Sequence, residues 1–242
     1  MPGLSLREVD YGGAERTLLV ADVSAPAGAP CVIMTAGVHG DEPAASWALL
    51  SIARDGLLDR AFGYRIWPCT NPSGYRRGTR ENADGNDVNR SFGRGGTSAE
   101  ARAMIGENRG QTFALNLDLH EDFEADGFYC YEPKIGDIAL GPAIVRAMDE
   151  AGFPVQELHE TYDLGYSPEV RHVRVVERGR VVPDVQAETD AFEGRLPHSM
   201  FLLQGTARRS LTFESPRRLP WDERVAIHRI AVVTALSELA AT

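Results

Sequence analysis

Positive charge is scarce in this chain and lysine is nearly absent. Twenty-five basic side chains face 35 acidic ones over 242 residues, a net charge of −10, and Lys134 is the one lysine among them. A basic surface for nucleic acid is therefore not expected, nor is attraction to an anionic membrane. Cysteine is equally sparse. Cys31, Cys69 and Cys130 are scattered and form no CxxC pair, which fits reduced, buried thiols better than a disulfide framework. No apolar run reaches the ~18–20 residues that span a bilayer. The start, MPGLSLREVDYGG, lacks the basic and apolar regions of a signal peptide, so a cytoplasmic location is expected. Repeats, low-complexity tracts and domain linkers are also missing, and one domain over 1–242 is expected. Arginine supplies nearly all the positive charge. That reads first as codon bias, although its planar fork also suits carboxylates.

What is present suffices for a folded core. At 43% apolar, the chain has ample material to bury. Thr17–Val23 reads as a strand, and Cys31–Val38 as a central buried one. A helix over Ala44–Arg54 should follow, with Asp41 as N-cap, Pro43 in the first turn and Gly56 as stop. Tyr64–Thr70 reads as a strand closed by the turn Asn71-Pro72-Ser73-Gly74. Gly78–Gly96 reads as a long polar loop and Ser98–Asn108 as a helix. Phe113–Leu119 alternates as a strand, and Gly136–Gly152 reads as a helix. Val170–Val176 and Arg180–Val185 read as a hairpin, Ser210–Ser215 as a strand and Trp221–Leu239 as a buried helix. Alternating strands and helices predict a layered α/β domain with a largely parallel sheet.

In such sheets, sites form beyond the carboxyl ends of the strands. His39 and Glu42 follow the first central strand, and Asn71 follows another. In LNLDLH the period of two sets Leu115, Leu117 and Leu119 on one face and Asn116, Asp118 and His120 on the other. In SLTFES, Thr212 and Glu214 share a face opposite Leu211 and Phe213. Two donors three residues apart at a turn can grip one metal ion, with His120 as the third ligand. Two His and one Glu leave a position for water, the catalytic type of zinc site. By itself HxxE reads as a solvated turn; His120 and Glu214 at neighbouring strand ends tip the reading to metal. Asp118 either orients a ligand or is a buried, hydrogen-bonded carboxylate. Glu214 could shuttle a proton from metal-bound water to a leaving amine. The bland alternative is an ion pair with Arg208, Arg209, Arg217 or Arg218. In the loop 78–92, Arg80 could stabilise an oxyanion, while Asn89 and Arg90 could hold a carboxylate. The acidic run Glu121, Asp122, Glu124, Asp126 reads as a solvated loop, with selection of a substrate ammonium as the sharper alternative.

The segments GVHGDEP, NPSGY, GTRENADGNDVNRSF, LDLH and LTFESP, in this order, resemble the zinc carboxypeptidase family, the carboxypeptidase A-like metallopeptidases. The resemblance implies a three-layer α/β/α sandwich around a mixed, largely parallel eight-stranded sheet, with a single zinc. It implies His39, Glu42 and His120 as ligands, Arg80 as electrophile, Asn89 and Arg90 as carboxylate clamp, and Glu214 as general base and acid. Two branches compete. One resembles murein peptide amidase and cuts cell-wall peptides; the other is the succinylglutamate desuccinylase and aspartoacylase group, which hydrolyses N-acyl amino acids. The loop and the 28 residues after Glu214, too few for the second group's usual extra domain, favour a peptidase. The expectation is a zinc-dependent carboxypeptidase or amidase, acting on a small peptide or alternatively on an N-acyl amino acid. A non-catalytic metal-binding protein on this fold is the remaining alternative. One departure stands out: Phe192–Phe213 lacks the tyrosine that closes over substrate in digestive members, leaving Tyr162 or Tyr166 as substitutes.

Overall fold

A computed structural model describes residues 3–12, 16–94, 96, 98–136, 138–157 and 174–242. Among these residues one sheet holds nine strands. They are β1 Leu4–Asp10, β2 Thr17–Val23, β3 Cys31–Ala36, β4 Gly63–Trp67, β6 Leu115–Asp122, β7 Tyr129–Tyr131, β8 Arg174–Glu177, β9 Arg180–Pro183 and β11 Ser210–Pro216, in the order β1-β2-β4-β3-β6-β11-β7-β9-β8. The four central strands run parallel, and antiparallel pairs flank them. A two-stranded ribbon, β5 Phe92–Gly93 with β10 Arg195–Leu196, lies apart.

The sheet is thus mixed and layered as expected, with one strand more than the resemblance implies. The seven-residue edge strand β1, largely exposed, and the three-residue β7 carry no clean buried pattern of their own and are held by their neighbours. Of the hairpin, Arg174–Glu177 and Arg180–Pro183 are paired, and 170–173 lie outside the described residues. The second strand stops at Pro183 because Asp184 accepts from the Ala187 N–H and starts a helix that the sequence does not announce.

The helices are α1 Pro43–Arg54, α2 Pro72–Arg77, α3 Ala99–Glu107, α4 Gly141–Glu150, α5 Val185–Ala191, α6 His198–Leu203 and α7 Trp221–Ala240. On one face, α1, α4 and α7 cover Val32, Met34, Leu115, Leu117, Leu119, Leu211 and Phe213. On the other, α3 and α6 close over Ile33, Trp67 and Phe113. The register of β6 is dictated by this burial. Leu115, Leu117 and Leu119 are fully buried, each stabilised by about 1.5–3 kcal/mol relative to exposure. A one-residue slip would drive Asn116, Asp118 and His120 into that apolar layer instead.

Three local expectations are corrected. Glu42, not Asp41, occupies the N-cap of α1, and its side chain makes no cap bond because it is engaged elsewhere. The strand carrying His120 runs on to Asp122, so His120 lies inside it, where pairing with β11 continues to its end. Only a stripe of α7 is buried, at Arg224, Ile227, His228, Ala231, Val232, Ala235 and Leu236. All three cysteines are free. No helix among the described residues is long and apolar enough to cross a membrane.

Candidate metal centre

Chain geometry beyond β3 assembles the site. Gly37 takes φ +64, where a side chain is strained. The chain turns there, and the Glu42 N–H donates to the His39 carbonyl at 3.3 Å. At Gly40 the turn crosses the start of α2 so closely that a Cβ would lie 2.0 Å from the Gly74 carbonyl carbon. Asn71 secures that crossing. Its Oδ1 accepts from the Gly74 N–H at 2.8 Å, and its Nδ2 donates to the Arg80 carbonyl at 3.0 Å. Asn71 therefore ties the turn to the loop that carries Arg80.

His39, Glu42 and His120 are buried and converge. One donor atom from each lies within 4.8 Å of the others. His39 Nδ1 is 2.6 Å from Glu42 Oε1, and His120 Nδ1 is 2.9 Å from Glu42 Oε2. Burial alone would raise the Glu42 pKa, but the two imidazoles outweigh it and hold the carboxyl well below the usual range. Burial would lower His120, yet Glu42 and Asp118 carry it well above the ordinary imidazole value. A buried anion clasped by two imidazoles, with three donors facing one another, fits a divalent cation in composition and charge. Two nitrogens and one carboxylate oxygen are the donor set of catalytic zinc sites.

The surrounding groups fix this trio. Asp87 is the organiser that sequence reasoning missed. Its Oδ2 accepts from Arg80 Nε and Nη2 at 3.2 and 3.0 Å, its Oδ1 accepts from the Asn89 N–H at 2.8 Å, and His39 Nε2 lies 3.4 Å from Oδ1. Burial opposes ionisation of Asp87, but His39, Arg80 and Arg90 hold its carboxyl well below the usual range. Arg80 is left with Nη1 turned inward, 3.3 Å from His39 Nδ1. Asp118 accepts from the Thr35 hydroxyl at 2.5 Å and lies 3.8 Å from His120 Nε2 and from His198 Nδ1. His198, on α6, also donates its backbone N–H to Asn89 Oδ1 at 2.9 Å. That leaves Asn89 Nδ2 facing His120 Nε2 at 3.5 Å. The signal for Asp87 was present in Asn-Asp-Val-Asn, an Asp at the start of the 3₁₀ turn Val88–Arg90; no local signal marks His198.

A cavity of about 250 Å³ opens over the centre, lined among others by His39, Glu42, Arg80, Asn89, Arg90, His120 and Glu214. All seven candidate residues therefore meet in one place. Arg90 lies over the Phe192 ring at 5.3 Å. Glu214 sits on β11 in register with His120 on one side and Tyr129 on the other. None of Arg208, Arg209, Arg217 or Arg218 pairs with it. Burial pushes its carboxyl well above the usual range; Glu42 and Asp122 add to this, while His120 and Arg80 oppose it. Tyr129 and Tyr131 line the cavity, whereas Tyr162 and Tyr166 lie outside the described residues.

The acidic run is not one solvated loop. Glu121 and Asp122 belong to β6, because the strand continues past His120. Glu121 is buried against Arg224, and Asp122 accepts from the Tyr129 hydroxyl at 2.7 Å. Only Glu124 and Asp126 are exposed.

Comparison with known proteins agrees with this geometry. The chain superposes on a candidate metallopeptidase of Shewanella amazonensis SB2B with a TM-score of 0.77 at 23% identity, covering 97% of this chain and 87% of that one. Carboxypeptidase A of Helicoverpa armigera gives 0.66 at 17%, covering 100% and 70%. A succinylglutamate desuccinylase/aspartoacylase of Rhodobacter sphaeroides gives 0.63 at 18%, covering 99% and 66%. No curated protein matches the sequence. The model of the succinylglutamate desuccinylase/aspartoacylase catalytic domain matches residues 28–155, more than half of the chain, and that stretch holds every candidate residue except Glu214. With its His-Glu-His centre at the carboxyl end of a carboxypeptidase-like sheet, the chain belongs to the succinylglutamate desuccinylase/aspartoacylase catalytic-domain family.

Proposed function

We propose that this chain is a zinc-dependent hydrolase that cuts an amide bond beside a free carboxylate. The observation that carries the reading is convergence. A buried His39–Glu42–His120 trio, an unpaired Glu214 in register with His120, and Arg80 held by Asp87 all border one cavity. Zinc held by the trio would supply Lewis acidity toward the carbonyl and an acidified water. Glu214 accepts the proton of the attacking water and returns it to the amide nitrogen as the C–N bond breaks. The products are a carboxylic acid and an amine. A carboxyl with a raised pKa suits this two-way transfer, since it neither binds nor releases the proton irreversibly. Arg80 Nη1 meets the negative charge that develops on the carbonyl oxygen. Asn89 and Arg90 hold the substrate's free carboxylate, Arg90 as the fork.

Two substrate classes suit this site. The family match supports N-acyl amino acids such as succinylglutamate or an acylated aspartate. The polar loop 78–92 supports short peptides, including cell-wall-type ones with a γ-linked D-glutamate. Turnover of both panels, before and after chelation and zinc restoration, tests the reading. Hydrolysis that is lost with zinc and regained with it is expected. Zinc binding without hydrolysis in either panel would leave a metal-binding protein on this fold.

A further inference from the structure

Glu42 sits at the N-cap of α1, yet its carboxylate is committed to His39 and His120 and caps nothing. The orphan N–H of Ala44 is satisfied from outside the helix. Glu121, the residue after His120, accepts it through Oε1 at 2.8 Å. Glu121 points to the α1 side of the sheet because side chains alternate along β6. Its backbone N–H donates to Glu42 Oε2 at 3.2 Å. Its other carboxylate oxygen takes an ion pair from Arg224 of α7, and both side chains are buried. Strand, ligand-bearing helix start and terminal helix therefore meet at one carboxylate.

We infer that Glu121 and Arg224 are positioning residues that set the metal affinity of the centre, by holding the start of α1 and thus Glu42 against His120. The inference rests on the reading of His39, Glu42 and His120 as metal ligands. It differs from ordinary helix capping, and the protein contains a control for the difference. Glu132 does the same job for α4, with no bond to His39, Glu42 or His120. Its two oxygens accept the Leu140 and Gly141 N–H groups at 2.6 and 3.0 Å, and Arg180 pairs with it at 3.1 Å. Removing either carboxylate uncaps a helix and takes an ion-pair partner from an arginine, although Arg180 keeps Glu177 at 2.6 Å. Only Glu121 touches a ligand.

The test measures zinc affinity by chelator competition, with the visible spectrum of the cobalt-substituted protein and the melting temperature of the metal-free chain. Glu121→Ala should weaken zinc binding roughly 10- to 100-fold, the usual effect of losing a group that orients a ligand. Its cobalt bands should shift. Glu121→Gln keeps an acceptor for Ala44 and should fall between the two. Glu121→Gln combined with Arg224→Met leaves no stranded charge, so a defect that persists there is not a folding artefact. Glu132→Ala should lower the melting temperature and leave zinc affinity within about twofold. Unchanged zinc affinity in a folded Glu121→Ala variant, or an equal loss in Glu132→Ala, overturns the inference. Absence of zinc binding by the unaltered chain would overturn the metal reading instead.

Discussion

Glu214 has neither a cation nor a hydrogen-bond donor holding its carboxylate among the described residues, although Arg80, Arg217 and Arg218 are close in sequence or space. A carboxylate left unpaired in a cavity wall is costly, so its retention calls for a use. Glu214→Gln preserves shape and removes the proton acceptor. Turnover should fall by two to four orders of magnitude, roughly the contribution of a positioned general base, while zinc content by metal analysis stays at one per chain. Retained turnover would sink its role. Asp87 makes a second prediction at this scale. It grips Arg80 by two nitrogens, so Asp87→Ala should free the guanidinium and reproduce much of the Arg80→Ala defect, about 10²-fold in kcat/KM if Arg80 acts on the oxyanion. The two losses should not add in the double variant, because one acts through the other. Full additivity in steady-state kinetics would separate them.

At the scale of elements, the close crossing at Gly40 is the feature most easily tested. The turn bearing His39 and Glu42 passes α2 with backbone against backbone, and no rotamer can relieve a Cβ at 2.0 Å from a carbonyl carbon. Gly40→Ala should cost about 3 kcal/mol in denaturant unfolding, at the upper end for overpacking. The N-cap variant Ser98→Ala, which removes a bond to the Ala101 N–H, should cost only about 1 kcal/mol. A Gly40→Ala variant as stable as the parent would mean that the turn and α2 separate freely. This crossing also marks where sequence reasoning stops. The central strands, α1, α3 and α7 were legible because each carries its own period or run of apolar residues, and LNLDLH announced both its faces. Of the seven candidate residues, His39, Glu42, Arg80, Asn89 and Arg90 were legible because the chain places them in turns and loops where core packing has no need of polar groups, and His120 and Glu214 because a strand's period of two gives each a polar face. The roles of Asp87, His198 and Glu121 were not, since each acts through a contact made in space: Asp87, marked locally only as the start of a 3₁₀ turn, by returning to Arg80, His198 by arriving from α6, Glu121 by capping a helix 77 residues earlier. The strands β1 and β7 escaped for a related reason, being organised by pairing and not by pattern.

For the whole molecule, the proposed centre would couple folding, protons and metal. In the metal-free protein burial would lower the His120 pKa, but Glu42 and Asp118 raise it well above the imidazole norm. Its folded value therefore exceeds its unfolded value of ~6.5. The stability it contributes is fully present below that unfolded value and is lost as pH rises through the folded one. Glu42 is shifted the other way, so its contribution is present above its unfolded value of ~4.3 and is lost as pH falls toward the folded one. The metal-free chain should thus be most stable between the two, and its melting temperature should decline toward alkaline pH. Zinc bound by His120 as proposed requires the binding nitrogen without its proton. Uptake at pH 7 should therefore release at least the His120 proton, read as a buffer-dependent heat in titration calorimetry. Apparent affinity should rise about tenfold per pH unit for that proton, flattening only beyond the folded pKa of His120. Loaded protein should consequently gain stability with pH over the range in which the metal-free chain loses it, by RT ln(1 + [Zn]/Kd). A zinc affinity that does not change between about pH 6 and pH 8, where this proton must be displaced, would mean that His120 is neutral before metal arrives and that the Glu42–His120 contact is not an ion pair.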